Sequence, residues 1–140
     1  MQNTYSGLQD HIRDLETPEI ETWKNEYPDR IVPIEIETSE LTAICPKTGL
    51  PDFGDITIQY DPYKSCLELK SLKEYFLFYR DVGIFHEHLV SKILDDIVKA
   101  CEPRQAMVKI IMKPRGGITT TVSARYTYLG KENSFWKEIQ

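Results

Sequence analysis

Residues 106–128 read AMVKIIMKPRGGITTTVSARYTY, and this stretch decides the fold. Ala106, Val108, Ile110 and Met112 alternate with Met107, Lys109, Ile111 and Lys113, a period of two that predicts a strand. After the turn Lys113-Pro-Arg-Gly-Gly117 the alternation resumes through Ile118, Thr120, Val122, Ala124, Tyr126 and Tyr128. Two alternating runs joined by Gly-Gly predict an antiparallel hairpin.

Upstream, Ile34, Ile36 and Thr38 alternate with glutamates, and residues 55–60 alternate in the same way. Asp61-Pro62 marks a turn, and Ser65 to Leu69 predicts another short extended stretch. The period then changes. Leu72, Tyr75, Phe76 and Tyr79 predict a helix, with Ser71 near its start and Gly83 as its stop. Leu89, Ile93, Leu94 and Ile97 predict a second helix ending at Cys101-Glu-Pro103. Strands, two helices, strands is the signature of an α+β fold: a ββααββ antiparallel sheet with both helices on one face. There is no internal repeat and no GxGxxG, so a dinucleotide-binding Rossmann domain is not expected. Residues 1–30 are polar and broken by Pro18 and Pro28; they are expected to form an arm, with Thr22 a candidate helix cap, before a single domain over 31–140.

The 140 residues are 41% hydrophobic and 28% charged, the balance of a soluble globular domain. A formal net charge of −5 argues against direct nucleic-acid binding, which favours a basic face. No run approaches the length of a membrane span, and the polar start lacks the pattern of a secretory signal. Three cysteines, Cys45, Cys66 and Cys101, without CxxC spacing suggest free thiols in a cytoplasmic setting rather than disulfides or zinc.

Four clusters carry candidate chemistry. In Thr42-Ala-Ile-Cys-Pro-Lys-Thr-Gly-Leu-Pro-Asp-Phe-Gly54, a shaped loop, Cys45 is a candidate nucleophile and Asp52 a candidate proton donor or acceptor. The same residue types also serve as a small buried thiol and a turn former, and types alone favour that plainer role. His86 and Glu87, at the start of the second helix, offer a donor and an acceptor to a polar ring, or simply form a charged first turn. His86 and His88 are two apart and do not share a helix face, so they make no metal pair. Glu68, on an apolar strand, calls for a partner, while Lys70 and Lys73 suit either an anion or a solvated helix edge. Arg115 beside Gly116-Gly117 suits either a phosphate or plain turn chemistry.

Together the clusters resemble the 7-cyano-7-deazaguanine reductases of queuosine biosynthesis, the QueF family, in their short single-domain form. The resemblance spans roughly residues 33–128. Glu68-Leu-Lys-Ser-Leu-Lys73 satisfies that family's signature run, with Glu74 a departure where leucine or tyrosine is usual. Cys45 through Asp52 fits its Cys-Pro-x-Thr-Gly-x-Pro-Asp loop at every fixed position, and His86-Glu87 and Arg115-Gly116 follow in order. The resemblance implies a tunnelling fold assembled into rings with sites between subunits. It also implies attack of Cys45 on the nitrile carbon to give a thioimide, and a proton from Asp52. His86 would orient the substrate or relay a proton; Glu87, Glu68, Leu67 and Leu69 would hold its purine-like ring. Lys70, Ser71, Arg115 and Gly116 would face NADPH. Two other readings stay open on the residues: a ring-forming purine- or pterin-binding protein without catalysis, and a cysteine hydrolase with His86 as base. A GTP cyclohydrolase I-like zinc enzyme is disfavoured, because no cysteine is followed by histidine at the Cys-x-x-His spacing.

Overall fold

The computed structural model describes residues 11–128. The first ten residues of the expected arm and residues 129–140 of the expected domain lie outside that range. The chain runs β1 (Thr22–Lys24), β2 (Ile34–Ile44), β3 (Pro51–Asp61), β4 (Ser65–Leu67), α1 (Leu69–Phe78), α2 (His86–Cys101), β5 (Gln105–Arg115) and β6 (Ile118–Thr127). The four long strands form one antiparallel sheet in the order β2-β3-β5-β6, while β1 and β4 pair as a small side sheet. The expected ββααββ order is therefore present, with one added ribbon.

Alternation explains which face is covered. Ile56, Ile58 and Tyr60 of β3 and Ala106, Val108, Ile110 and Met112 of β5 are buried. They meet Leu72, Tyr75, Phe76 and Tyr79 from the first helical segment and Leu89, Ile93, Leu94 and Ile97 of α2 in one core. Each fully buried leucine or isoleucine contributes about 1.5–3 kcal/mol relative to exposure. The β5–β6 turn closes on Gly116 (φ 59°) and Gly117 (φ 79°), both left-handed, which suits a mirror-type two-residue hairpin and needs glycine-like freedom.

Four expectations require correction. The loop expected over 42–54 is shorter, because β2 continues to Ile44 and β3 starts at Pro51. A register shift between Thr38 and Leu41 moves the inward parity from Ile34 and Ile36 to Leu41 and Ala43, which hides the strand from a strict period-two reading. Glu68 is no strand residue: it caps α1, accepting from the backbone N–H of Lys70 (2.8 Å) and Ser71 (2.7 Å). Gly83 does not stop α1, which ends at Phe78 in a short tighter turn over Tyr79–Asp81. Finally, Thr22 caps no helix; it starts β1 and pairs with Leu67. The described residues of the segment expected as an arm are thus tied to the rest of the chain, through β1 and through Arg104, which donates to the carbonyls of Pro62 (3.0 Å) and Pro28.

Candidate active site

The site begins with a pairing register. Asp52 lies opposite Ala43, whose side chain is wholly buried on the core face, and cross-strand partners share a face. Asp52 is consequently a carboxylate turned inward and only 6% exposed. Burial of a charged group is costly without partners, and both its oxygens have one. Oδ1 accepts from Arg115 Nη1 at 2.7 Å, and Oδ2 meets His86 Nε2 at 3.2 Å.

Cys45 opens the tight turn between β2 and β3. Its N–H donates to the Leu50 carbonyl at 2.9 Å, and the Gly49 N–H donates back to its carbonyl at 2.8 Å. Gly49 (φ 71°) sits in the left-handed region that this return requires. Partial burial pushes the half-buried thiol up, but the Thr48 hydroxyl and the backbone N–H groups of Thr48 and Lys47 donate toward the sulfur and outweigh it. The result is a thiol below its ordinary value, against the opposing charge of Asp52. Because Thr48 Oγ1 accepts from the Leu50 N–H at 3.2 Å, its single hydrogen is free for the sulfur.

His86 arrives from the other side of the core. Ile44 N–H donates to Val82 O at 2.9 Å and Ile84 N–H donates to Ile44 O at 3.1 Å, a short parallel bridge centred on Gly83. That bridge stitches the residue before Cys45 to the segment entering α2, so His86 opens its helix directly over Asp52. Cys45, Pro46, Thr48, Asp52, Ile84, Phe85, His86 and Arg115 line one hollow of about 290 Å³. A thiol with depressed pKa, a buried carboxylate and an imidazole in one hollow can add sulfur to an electrophilic carbon and move a proton to its neighbour.

Not every expected site residue joins them. Glu87 follows His86 and is exposed, and Gly116 follows Arg115 in the open turn, with nothing within 4 Å of where a side chain would stand. Leu67, Glu68, Leu69, Lys70 and Ser71 lie at the opposite end of the sheet. The Leu67 N–H donates to the hydroxyl of Tyr60 at 3.0 Å, and Tyr60 stands eight positions along β3 from Asp52, about 26 Å at strand rise. Within one chain, therefore, Glu68 does not meet Glu87, nor do Lys70 and Ser71 meet Arg115 and Gly116. The Glu68 carboxylate is occupied as the helix cap. Ser71 Oγ is occupied too, donating to the Glu68 carbonyl (2.9 Å) and accepting from the Glu21 N–H (2.8 Å).

Thr48 and the Arg115–Asp52 pair were not singled out from sequence. The threonine had a signal, being a fixed position of the nucleophile loop; the arginine pair, 63 positions apart, had none. Among the described residues, no group of three or more His, Cys, Asp or Glu side chains is placed to hold a metal ion.

Comparison with known proteins adds a third line. A relative from Chlorobaculum tepidum, named NADPH-dependent 7-cyano-7-deazaguanine reductase, is 57% identical over 108 residues, covering 77% of this chain and 92% of the relative. One from Elusimicrobium minutum with the same name is 54% identical over 125 residues, covering 87% and 94%. The crystal structure of the archaeosine synthase QueF-Like in the apo form aligns with a TM-score of 0.63 at 22% identity, over 66% of this chain and 91% of that one. That likeness is one of fold, and it agrees with the ββααββ tunnelling architecture. The profile of the QueF-like proteins matches residues 51–131, from the strand that carries Asp52 through the whole β5–β6 hairpin. With that profile over more than half its length and relatives sharing more than half their aligned residues, this chain belongs to the QueF-like family.

Proposed function

We propose that this chain is an NADPH-dependent nitrile reductase that converts 7-cyano-7-deazaguanine to 7-aminomethyl-7-deazaguanine in queuosine biosynthesis. The observation that carries this reading is the shared hollow of Cys45 and Asp52, a nucleophile with lowered pKa beside a buried carboxylate. The relatives' names supply the substrate and cofactor.

The chemistry follows from the residues. As the Cys45 sulfur attacks the nitrile carbon, the proton it gives up is taken by the Asp52 carboxylate and passed on to the nitrogen, giving a neutral thioimide joined to the enzyme. His86, on Oδ2 of Asp52, is placed to return a proton to that carboxylate. NADPH, when bound, supplies hydride, two equivalents per nitrile because nitrile to amine is a four-electron reduction. After the first reduction the C–S bond breaks, the thiolate leaves and an imine forms; the second reduction and a final proton give the amine. Glu87 is exposed beside the hollow and suits the N–H groups of the purine-like ring. Lys70 and the open backbone at Gly116 suit the phosphates of NADPH, whereas the Ser71 hydroxyl is already bonded.

Self-association into rings completes the proposal. The outer edges of β2 and β6 carry no strand partner among the described residues. Exposed Leu69 and Leu77 flank an apolar groove with Ile36, Leu72 and Phe76. A neighbouring copy that covers this region with its own Cys45 hollow would join that hollow to the Leu67–Ser71 segment, a meeting that one chain alone does not make. A cytoplasmic setting suits three free thiols and a reduced cofactor; no helix among the described residues is long and apolar enough to cross a membrane.

The test is intact mass after mixing the protein with 7-cyano-7-deazaguanine and no cofactor. A gain equal to the whole ligand, absent in Cys45→Ala, is expected. Binding without an adduct points instead to a non-catalytic purine-binding module. Thiol-dependent loss of the nitrile without cofactor consumption points to a hydrolase.

A further inference from the structure

Arg115 sits on Asp52 and not with the lysines at the start of α1. Its Nη1 donates to Asp52 Oδ1 at 2.7 Å and to the Pro51 carbonyl at 3.3 Å, so it grips the strand as well as the carboxylate. The arginine side chain is 43% exposed, but the oxygen it reaches belongs to a side chain only 7% exposed. A guanidinium is charged at every working pH and is a donor only. It therefore holds Oδ1 regardless of what happens at Oδ2.

We propose that Arg115 is a positioning residue for the nitrile reaction, fixing Asp52 by Oδ1 so that Oδ2 alone serves His86 and the substrate nitrogen. Its role in turnover rests on the proposed nitrile chemistry, whereas its action on Asp52 rests on geometry. Two consequences follow. With one oxygen anchored, the carboxylate cannot swing, and the proton-carrying oxygen keeps a constant direction toward the hollow. The guanidinium also offsets a buried negative charge that would otherwise oppose the Cys45 thiolate. The sulfur feels the charge of Asp52, so Arg115 reaches Cys45 through that carboxylate.

The experiment is a double-mutant cycle read on Cys45 itself. The rate of Cys45 alkylation by iodoacetamide is measured across pH, by peptide mass, for the wild type, Arg115→Met, Asp52→Asn and the double variant. Arg115→Met is expected to move the profile to higher pH, with alkylation roughly threefold slower near neutrality. In the Asp52→Asn background the same change is expected to do nothing. An equal shift in both backgrounds overturns the proposal. So does an equal shift in Lys113→Met, which removes a neighbouring charge without touching Asp52. If circular dichroism shows that Arg115→Met is unfolded, Arg115→Gln, which keeps donors without the charge, carries the cycle.

A second arm follows adduct formation with 7-cyano-7-deazaguanine in the absence of cofactor. Arg115→Met is expected to slow it several-fold, and Arg115→Lys to restore part of the loss. Unchanged alkylation and adduct rates, with NADPH binding alone weakened in a fluorescence titration, assign the arginine to the cofactor and overturn the proposal. A wild type that forms no adduct sinks the nitrile chemistry, while the alkylation cycle still decides whether Arg115 acts through Asp52.

Discussion

Asp52 Oδ2 and His86 Nε2 meet at 3.2 Å across 34 positions of chain. One short backbone bridge, Ile44 with Gly83, makes the meeting possible by tying the end of β2 to the segment that enters α2. Side-chain chemistry at this site therefore depends on strand register more than on loop shape. Asp52 is held by β3, His86 by the first turn of α2, and only Cys45 stands on the connecting turn.

Asp52→Asn is expected to move two measurements in opposite directions. Loss of the proton donor should lower the reduction rate by about 100-fold or more, the usual scale for a general acid. The Asp52 charge raises the Cys45 pKa, so its removal should make the thiol more acidic and shift the alkylation profile to lower pH. Steady-state rates and iodoacetamide profiles on the same preparation check both. A thiol that became less acidic would show that Asp52 does not act on Cys45 as a neighbouring negative charge.

Thr48 is expected to help hold the thiol below its ordinary value. Thr48→Val removes the hydroxyl but keeps the branched shape and the backbone N–H groups, so alkylation near neutrality should slow by about three- to tenfold, the scale of one ordinary hydrogen bond. Thr48→Ser should restore it. Equal rates in all three proteins would leave the backbone N–H groups as the only source of the acidity.

The β5–β6 hairpin and the apolar faces of both helices were legible from alternation and helical spacing, because the core is built from residues whose pattern repeats locally. The end of β2 was not. The register shift after Thr38 reverses which side chains point inward, and Leu41 and Ala43 then fall outside a strict alternation. The cap role of Glu68 is hidden for a related reason: a cap is defined by the backbone N–H groups it receives, and a glutamate between two leucines carries no sign of that. Motif order located Cys45, Asp52 and His86. Their separation from Glu68 and Lys70 is set by the length of β3, which no local pattern reports.

The Glu68 cap gives a prediction with a pH sign. Hydrogen bonds from the Ser71 and Lys70 N–H groups hold its carboxyl below the ordinary value. A group whose folded pKa is depressed contributes stability that is present above its unfolded pKa and lost as pH falls through the folded one. Glu68→Gln should therefore be less stable than wild type at neutral pH, and the two should converge once the pH drops below the ordinary glutamate range. Urea midpoints collected from neutral to acid pH test this. A gap that persisted in acid would mean that the charge of Glu68 is not what stabilises the start of α1.

Among the described residues, a second buried polar network lies away from the site, where Tyr75 donates to Asp96 Oδ2 at 2.5 Å and Lys92 holds Asp96 Oδ1 at 2.9 Å. With the Tyr75 hydrogen committed to the carboxylate, the Tyr79 hydroxyl, 2.8 Å away, must donate to the Tyr75 oxygen. Burial and the neighbouring carboxylate push the Tyr75 hydroxyl far above its ordinary range, so it stays a donor at any working pH. Tyr75→Phe breaks two links together: Asp96 loses a donor and Tyr79 loses its acceptor. That should cost about 2–3 kcal/mol, lowering the thermal midpoint by roughly 5–10 °C for a domain of this size. Tyr79→Phe removes only the outer donor, leaves Asp96 fully paired and should cost about 1 kcal/mol. Neither tyrosine lines the Cys45 hollow, so the alkylation profile of Cys45 should be the same in both variants as in wild type. Thermal melts of the two variants decide the direction of the chain of donors. The larger loss falling on Tyr79→Phe would reverse it, with Tyr79 and not Tyr75 as the member on which the carboxylate depends.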